Sequence, residues 1–197
     1  MTRRLGAGAA LLAALALAPP AHGASFEERA AACLACHGPR GQSAIPETPS
    51  IGGQPSFYVV AQLFLYRRGG RANEAMSAVA QPMTDDDLRA FGDWVSRLPP
   101  PAPPAEPPEP ERAARAVALL RRHPCAVCHN PDFSGREQMP RLTHQREDYL
   151  LKSMREYKSG ARVGYGGAMA QELAGLSDGD LQDLAHFLAR LPLSPAR

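Results

Sequence analysis

Apolar residues recur along this chain at helical spacing. Leu88, Phe91, Val95 and Leu98 fall three or four apart, and Leu181, Leu184, Leu188 and Leu191 repeat the pattern. Phe57, Val60, Ala61, Phe64 and Leu65 form a third stripe, with Leu150, Leu151 and Met154 as a fourth. Helix-start signals stand where these stripes need them. Ser25 with Glu28 is a capping box, which opens a helix running to Cys33. Thr84 with Asp87 and Ser177 with Asp180 have the same spacing, and Pro55 sits at a first-turn position. Further helices are expected over Glu111–His123 and Glu147–Lys158. No stretch alternates apolar and polar residues as a half-buried strand does, so the predicted fold class is all-α.

The N-terminus has a different pattern. Arg3 and Arg4 precede an apolar run from Leu5 to Ala18, which Pro19 and Pro20 end, and Ala21, Gly23 and Ala24 are small. This reads as a secretory signal peptide over residues 1–24. The run is shorter than the roughly 20 apolar residues of a membrane span. An uncleaved anchor is the alternative, and would hold the protein at the membrane.

The remainder is one unit used twice. Cys33, Cys36 and His37 match Cys125, Cys128 and His129. Pro49, Gln54, Tyr58, Tyr66, Gly69 and Arg71 match Pro140, Gln145, Tyr149, Tyr157, Gly160 and Arg162. Met76, Leu88, Trp94 and Leu98 match Met169, Leu181, Phe187 and Leu191. The register drifts by a residue or two, only where short loops should lie. The expected organisation is therefore a first domain at residues 25–98, a linker at 99–111 and a second domain at 112–197. Eight prolines fall between Leu98 and Glu111, which excludes a helix or central strand there and predicts an extended polyproline-type spacer. It either lies on the protein surface or holds the domains apart, and the sequence does not choose.

The chemistry-bearing residues are the two Cys-x-x-Cys-His sets. Residues i, i+3 and i+4 share one face of a helical turn. Two thiols so placed can add to the two vinyl groups of haem, with the adjacent imidazole lying under the ring as an iron ligand. The motif is that of c-type haem attachment. A structural zinc site wants four ligands with its cysteine pairs close in sequence, whereas these pairs lie far apart. A thioredoxin-like site wants a βαβ setting, which is missing. The expected cofactors are two covalently attached haem c groups on Cys33, Cys36 and His37 and on Cys125, Cys128 and His129. Each domain is small for a self-sufficient core, and a large apolar cofactor would supply the missing interior.

An electron carrier of this type completes its iron with methionine sulfur, a ligand that raises the potential. The repeat selects the candidates. Met76 and Met169 occupy one position in both units, whereas Met83 pairs with Leu176, Met154 with Leu63 and Met139 with Thr48. His123, His144 and His186 have no histidine counterpart and are expected to be packing or surface residues. A ligating histidine donates its other N–H to a fixed acceptor, and the matched Pro49 and Pro140 carbonyls are candidates. Tyr58, Tyr66, Arg71 and their mates Tyr149, Tyr157 and Arg162 either bond haem propionates or are ordinary core tyrosines and surface arginines.

These residues resemble the cytochrome c family, and the chain from residue 25 onward resembles the two-domain cytochrome c4 family. The resemblance is carried by the paired CLACHG and CAVCHN motifs, by PSIGGQPSFYVVAQL and PRLTHQREDYLLKSM, and by the Met76 and Met169 segments that lead into TDDDL and SDGDL. It implies two tandem cytochrome c-like domains related by a pseudo-twofold, each enclosing one covalent haem. It also implies His37/Met76 and His129/Met169 as the iron ligands, and a periplasmic shuttle between respiratory oxidases, reductases or dehydrogenases. The haem subunits of flavocytochrome c sulfide dehydrogenases are similar, which makes a dehydrogenase's electron-transfer subunit the second reading. The chain departs from the family pattern at His144, where the family has glycine.

With both axial positions filled, no bond is made at iron, so outer-sphere electron transfer is expected rather than enzymatic turnover. Charge adds one element. Without residues 1–24 the chain has 20 basic and 20 acidic side chains, but residues 112–197 carry 13 basic and 9 acidic. That asymmetry predicts oriented, salt-sensitive docking with redox protein partners. No basic run interleaved with aromatics suggests nucleic-acid binding.

Overall fold

In a computed structural model of the chain, residues 24–162 and 167–192 are described. The expected signal segment lies outside them but for its last residue. Among the described residues, nine α-helices and the 3-10 turn Pro39–Gly41 form two helical domains in tandem. No strand is present among them, and no helix is long and apolar enough to cross a membrane.

The first domain contains α1 (Phe26–His37), α2 (Ser56–Arg67), α3 (Glu74–Ala80) and α4 (Asp85–Arg97). Both predicted capping boxes form, Ser25 with Glu28 on α1 and Thr84 with Asp87 on α4. Helix α2 packs on α4. Phe26 on α1 stacks at 5.0 Å from Phe91 on α4, with Trp94 edge-on to both rings. Arg29 of α1 reaches Asp87 of α4 at 2.8 Å. Leu63, Tyr66, Ala80, Met83, Leu88 and Phe91 form the buried core.

The second domain contains α5 (Pro110–Arg122), α6 (Cys125–His129), α7 (Glu147–Ser159), α8 (Ala168–Leu173) and α9 (Asp178–Ala189). Its core gathers Leu119, Phe133, Leu150, Met154, Leu181, Leu184 and Leu188. The buried carboxylate of Asp183 on α9 holds Arg112 and Arg115 of α5 at 3.1 and 2.5 Å.

Three features depart from the helical pattern read in the sequence. Helix α5 begins at Pro110, where a first-turn proline loses no hydrogen bond. The segment that carries the second motif is broken, whereas α1 runs through the first. Pro124 has no amide hydrogen and forces its predecessor out of the α region, and His123 sits at φ −113°, ψ 132°. The short helices α3 and α8, which carry Met76 and Met169, had no stripe long enough to announce them.

The proline-rich stretch lies on the protein. Pro101 is buried, Gln42 Nε2 donates to the Pro100 carbonyl at 3.4 Å, and His186 Nε2 accepts the Glu109 N–H at 3.0 Å. His144 occupies the left-handed region, φ 59°, as its partner Gly53 does at 65°. Its buried ring lies between the carbonyls of Pro101, at 3.3 Å, and Leu191, at 2.8 Å.

Candidate functional site

His37 ends α1 and His129 ends α6, both buried. Nδ1 of His37 is 2.8 Å from the Pro49 carbonyl, and Nδ1 of His129 is 2.9 Å from that of Pro140. A carbonyl only accepts, so each ring carries its proton on Nδ1. Burial pushes the pKa of both below the usual histidine range, against the smaller opposite effect of the proline carbonyl. Both imidazoles are therefore neutral at pH 7, with an unprotonated Nε2. Nε2 of His129 is buried and has no hydrogen-bond partner. A buried polar atom left unpaired costs about 1–3 kcal/mol, and a metal ligated there would remove that cost.

The thiols stand beside these rings. Cys33 and Cys125 are half-buried against the first and second cores, and burial raises both thiol pKa values. Cys36 and Cys128 are exposed, and all four thiols are free. Met76 packs against the cluster that takes Cys33, and Met169 against the one that takes Cys125. Each core thus gathers a cysteine of the motif and a half-buried methionine. The competing methionines serve the interior: Met83 and Met154 are buried core residues, and Leu176, the mate of Met83, is buried in its own core. Of the spare histidines, His144 and His186 are buried packing residues, the latter with both ring nitrogens engaged, and His123 lies 3.9 Å from Glu172.

Between the domains lies a cage of opposite character. Arg71 and Arg162 are buried, each stacked 4.6 Å over the ring of Tyr66 or Tyr157 in its own domain. Arg71 donates to Gln62 Oε1 at 2.7 Å, and Arg162 to Ser153 Oγ at 3.1 Å. Each then crosses the interface, Arg71 to the Tyr149 hydroxyl at 2.9 Å and Arg162 to that of Tyr58 at 3.2 Å. Gln62 Oε1 also accepts from Arg162, at 3.1 Å. Burial acts to lower both guanidinium pKa values, but the surrounding phenols outweigh it, so both stay charged. The same charges outweigh burial at Tyr149 and pull its hydroxyl below the usual phenol range. Among the described residues no carboxylate pairs with either arginine. Two buried cations without an anion are unfavourable alone, and the carboxylates of haem propionates would neutralise them. The residues present therefore fit haem: a free axial nitrogen, paired thiols on one helical face, and a cationic cage for carboxylates. Gln62 and Ser153 were missed in the sequence because they match only by position in the repeat, not by residue type.

Similarity to known proteins agrees. The Cytochrome c family model matches residues 113–192. The chain is 33% identical to the thiosulfate dehydrogenase electron acceptor of Thiomonas intermedia, over 95% of this chain and 91% of that protein. It is 31% identical to cytochrome c4 of Thiocapsa roseopersicina, over 81% and 86% of the two chains. The crystal structure of reduced recombinant cytochrome c4 from Pseudomonas stutzeri superposes with a TM-score of 0.75 at 25% identity, covering 86% of this chain and 100% of that one. With a relative above 30% identity along most of both chains, and the same helical architecture in a solved structure, this chain belongs to the cytochrome c4 family of electron-transfer proteins with covalently attached haem.

Proposed function

We propose that the chain is a periplasmic dihaem shuttle that passes electrons between redox proteins by outer-sphere transfer, without bond chemistry at iron. Haem c supplies the reversible one-electron iron couple. In this reading Cys33, Cys36 and His37, with Met76, hold one haem, and Cys125, Cys128 and His129, with Met169, hold the other. The domains run over residues 25–98 and 112–197, joined by the linker at 99–111, and residues 1–24 are removed on export.

The observation that carries the reading is the orphaned, buried Nε2 of His129, on a ring whose Nδ1–H is already given to Pro140. Pro49 and Pro140 fix the tautomer and orientation of the two rings. Arg71 and Arg162 bind the propionates of both haems at the interface, which brings the two redox centres to one shared cage.

The test is spectroscopic. Met76→Ala and Met169→Ala should each abolish about half of the far-red methionine–iron band of the oxidised protein. Full retention of the band in both variants, or rapid peroxide turnover by the wild type, would sink the closed-iron reading.

A second reading gives the shuttle a particular donor. The 33% identity to a thiosulfate dehydrogenase electron acceptor, along nearly the full length of both chains, favours a sulfur-oxidising dehydrogenase as the source of electrons. Purification from the native source at low salt, followed by thiosulfate-dependent reduction, distinguishes this donor from a quinol-oxidising complex.

A further inference from the structure

We propose that Gln54 and Gln145 are positioning residues for the axial histidine of the opposite domain, so that docking of the two domains tunes the iron ligands in both. The inference rests on the assignment of His37 and His129 as ligands.

It comes from one peptide group in each domain. The oxygen of the Pro49–Ser50 peptide accepts the His37 Nδ1–H at 2.8 Å. The nitrogen of that same peptide donates to Oε1 of Gln145, in the second domain, at 2.8 Å. Gln145 Nε2 then donates to the Ser50 carbonyl at 2.7 Å, closing a two-bond clamp on one residue. The second domain repeats the arrangement. The oxygen of the Pro140–Arg141 peptide accepts the His129 Nδ1–H at 2.9 Å. Its nitrogen donates to Oε1 of Gln54, in the first domain, at 3.0 Å, and Gln54 Nε2 returns a bond to the Arg141 carbonyl at 3.1 Å. The two glutamines are mates in the repeat, as are Ser50 and Arg141, so the clamps are related by the pseudo-twofold and cross it in opposite directions.

The chemistry of the amide requires glutamine. A primary amide presents one acceptor and a donor side by side, which matches the N–H and C=O of a single extended residue. An ionised glutamate lacks the donor, and leucine lacks both. Gln54, Gln145 and Ser50 are all buried, so water does not replace the clamp.

A peptide whose N–H is engaged becomes a stronger acceptor at its oxygen, because hydrogen bonds in a chain polarise one another. A stronger acceptor on Nδ1–H makes the imidazole more basic toward a metal. That favours the oxidised iron. Each glutamine therefore lowers the potential of the haem in the domain it does not belong to. By linkage, oxidation at either iron strengthens docking by as much as docking favours oxidation.

The test uses the full-length holoprotein with Gln145→Leu, Gln54→Leu, Gln145→Glu and Lys152→Ala. The last removes an exposed ion pair to Glu47 across the same interface and touches neither peptide. Readouts are the histidine Nδ1–H resonances of the reduced protein and the two haem potentials. Gln145→Leu should move the His37 resonance and raise the reduced-to-oxidised ratio of the first haem about threefold at fixed poise. Gln54→Leu should do the same to His129 and the second haem. Gln145→Glu keeps an acceptor for Ser50 N–H, whether ionised or protonated, so it should not reproduce the leucine shift. Lys152→Ala should leave both histidines unchanged. A shift confined to the glutamine's own domain, equal shifts at both histidines, or the same shift in Lys152→Ala would overturn the proposal. The ligand assignment is read first, in the wild type. If the ring protons of His37 or His129 lack the large haem ring-current shifts of an axial ligand, that assignment fails, and this proposal with it.

Discussion

Arg71 of the first domain donates to the hydroxyl of Tyr149 in the second at 2.9 Å. Both arginines of the repeat make such a crossing, and neither has a carboxylate among the described residues. The interface is therefore held by cations that need anions from elsewhere, and on the proposed reading, in which haem propionates supply them, haem loading and domain docking are coupled. Arg162→Met removes one buried charge and, on that reading, leaves a haem propionate unpaired. It should weaken the folded holoprotein by about 3 kcal/mol, read by denaturant titration. It should also lower the potential of the haem it serves, because a nearby positive charge favours the electron-rich state. Potentiometry checks the sign.

The methionines separate into two classes with opposite signatures. Met83→Ala and Met154→Ala delete buried core side chains and should cost about 2–5 kcal/mol each, with the methionine–iron band intact. Met76→Ala and Met169→Ala truncate half-buried side chains. They should cost less stability and remove the band of one domain each. Thermal melts and absorption spectra of the same four proteins decide the division.

Much of this was legible in the sequence, for reasons that are local. Ser25 with Glu28, Thr84 with Asp87 and Ser177 with Asp180 are contacts three residues apart, so the capping boxes could be read directly and all three form. The pairing of Met83 with Leu176 pointed to an apolar position, and both are buried. What could not be read depends on contacts far apart in the chain. Gln54 and Gln145 were visible as repeat mates, but their partners lie 87 and 95 residues away, across an interface no periodicity announces. The placement of the prolines against Gln42 and His144 is of the same kind. Helix α3 is seven residues long and α8 six, too short for a stripe to register.

His144 offers a backbone test. It holds φ 59°, at the position where its repeat mate is Gly53. A left-handed conformation costs a non-glycine residue about 1–2 kcal/mol. His144→Ala loses the ring's hydrogen bond to the Leu191 carbonyl and its packing against Pro101 and keeps the strained backbone, whereas His144→Gly loses the same contacts and relieves it. The glycine variant should be the more stable of the two by about 1 kcal/mol, measured by chemical denaturation.

Acid stability should follow the buried and paired groups in order. In the haem-free chain, where Nε2 of each ring carries no iron, His37 and His129 have folded pKa values below the histidine value of 6.5, mainly through burial. The unfolded chain takes up those protons first, so stability falls as pH drops below that value. Asp87 is held down to about 2, first by Arg29 and then by the Thr84 amide. Its contribution is complete above the unfolded carboxylate pKa, about 4, and is lost as pH falls through the folded value. Its partner Arg29 is 35% exposed, and water there screens the pair, which is worth about 1 kcal/mol or less. Asp87→Asn should flatten the stability profile between pH 4 and 2 and leave the fall below the histidine value unchanged. Stability measured against pH in both proteins tests the assignment.

Association with a partner should report the charge asymmetry. Residues 112–197 carry four more basic than acidic side chains, and residues 25–111 four more acidic than basic. Arg71 and Arg162, buried in the interdomain cage, contribute little to the outward field. The exposed surface of the second domain still includes Arg121, Arg122, Arg136 and Lys158. A partner with an acidic docking face would be steered toward that domain, and steering weakens as the Debye length falls from about 10 Å at 0.1 M to 3 Å at 1 M salt. The second-order rate of reduction should therefore fall by about tenfold or more over that range, while the spectra and potentials stay nearly constant. Replacing Arg121 and Arg122 with glutamine should flatten the salt dependence without moving either potential. Equal salt slopes in the variant and the wild type would place the docking face elsewhere on the molecule.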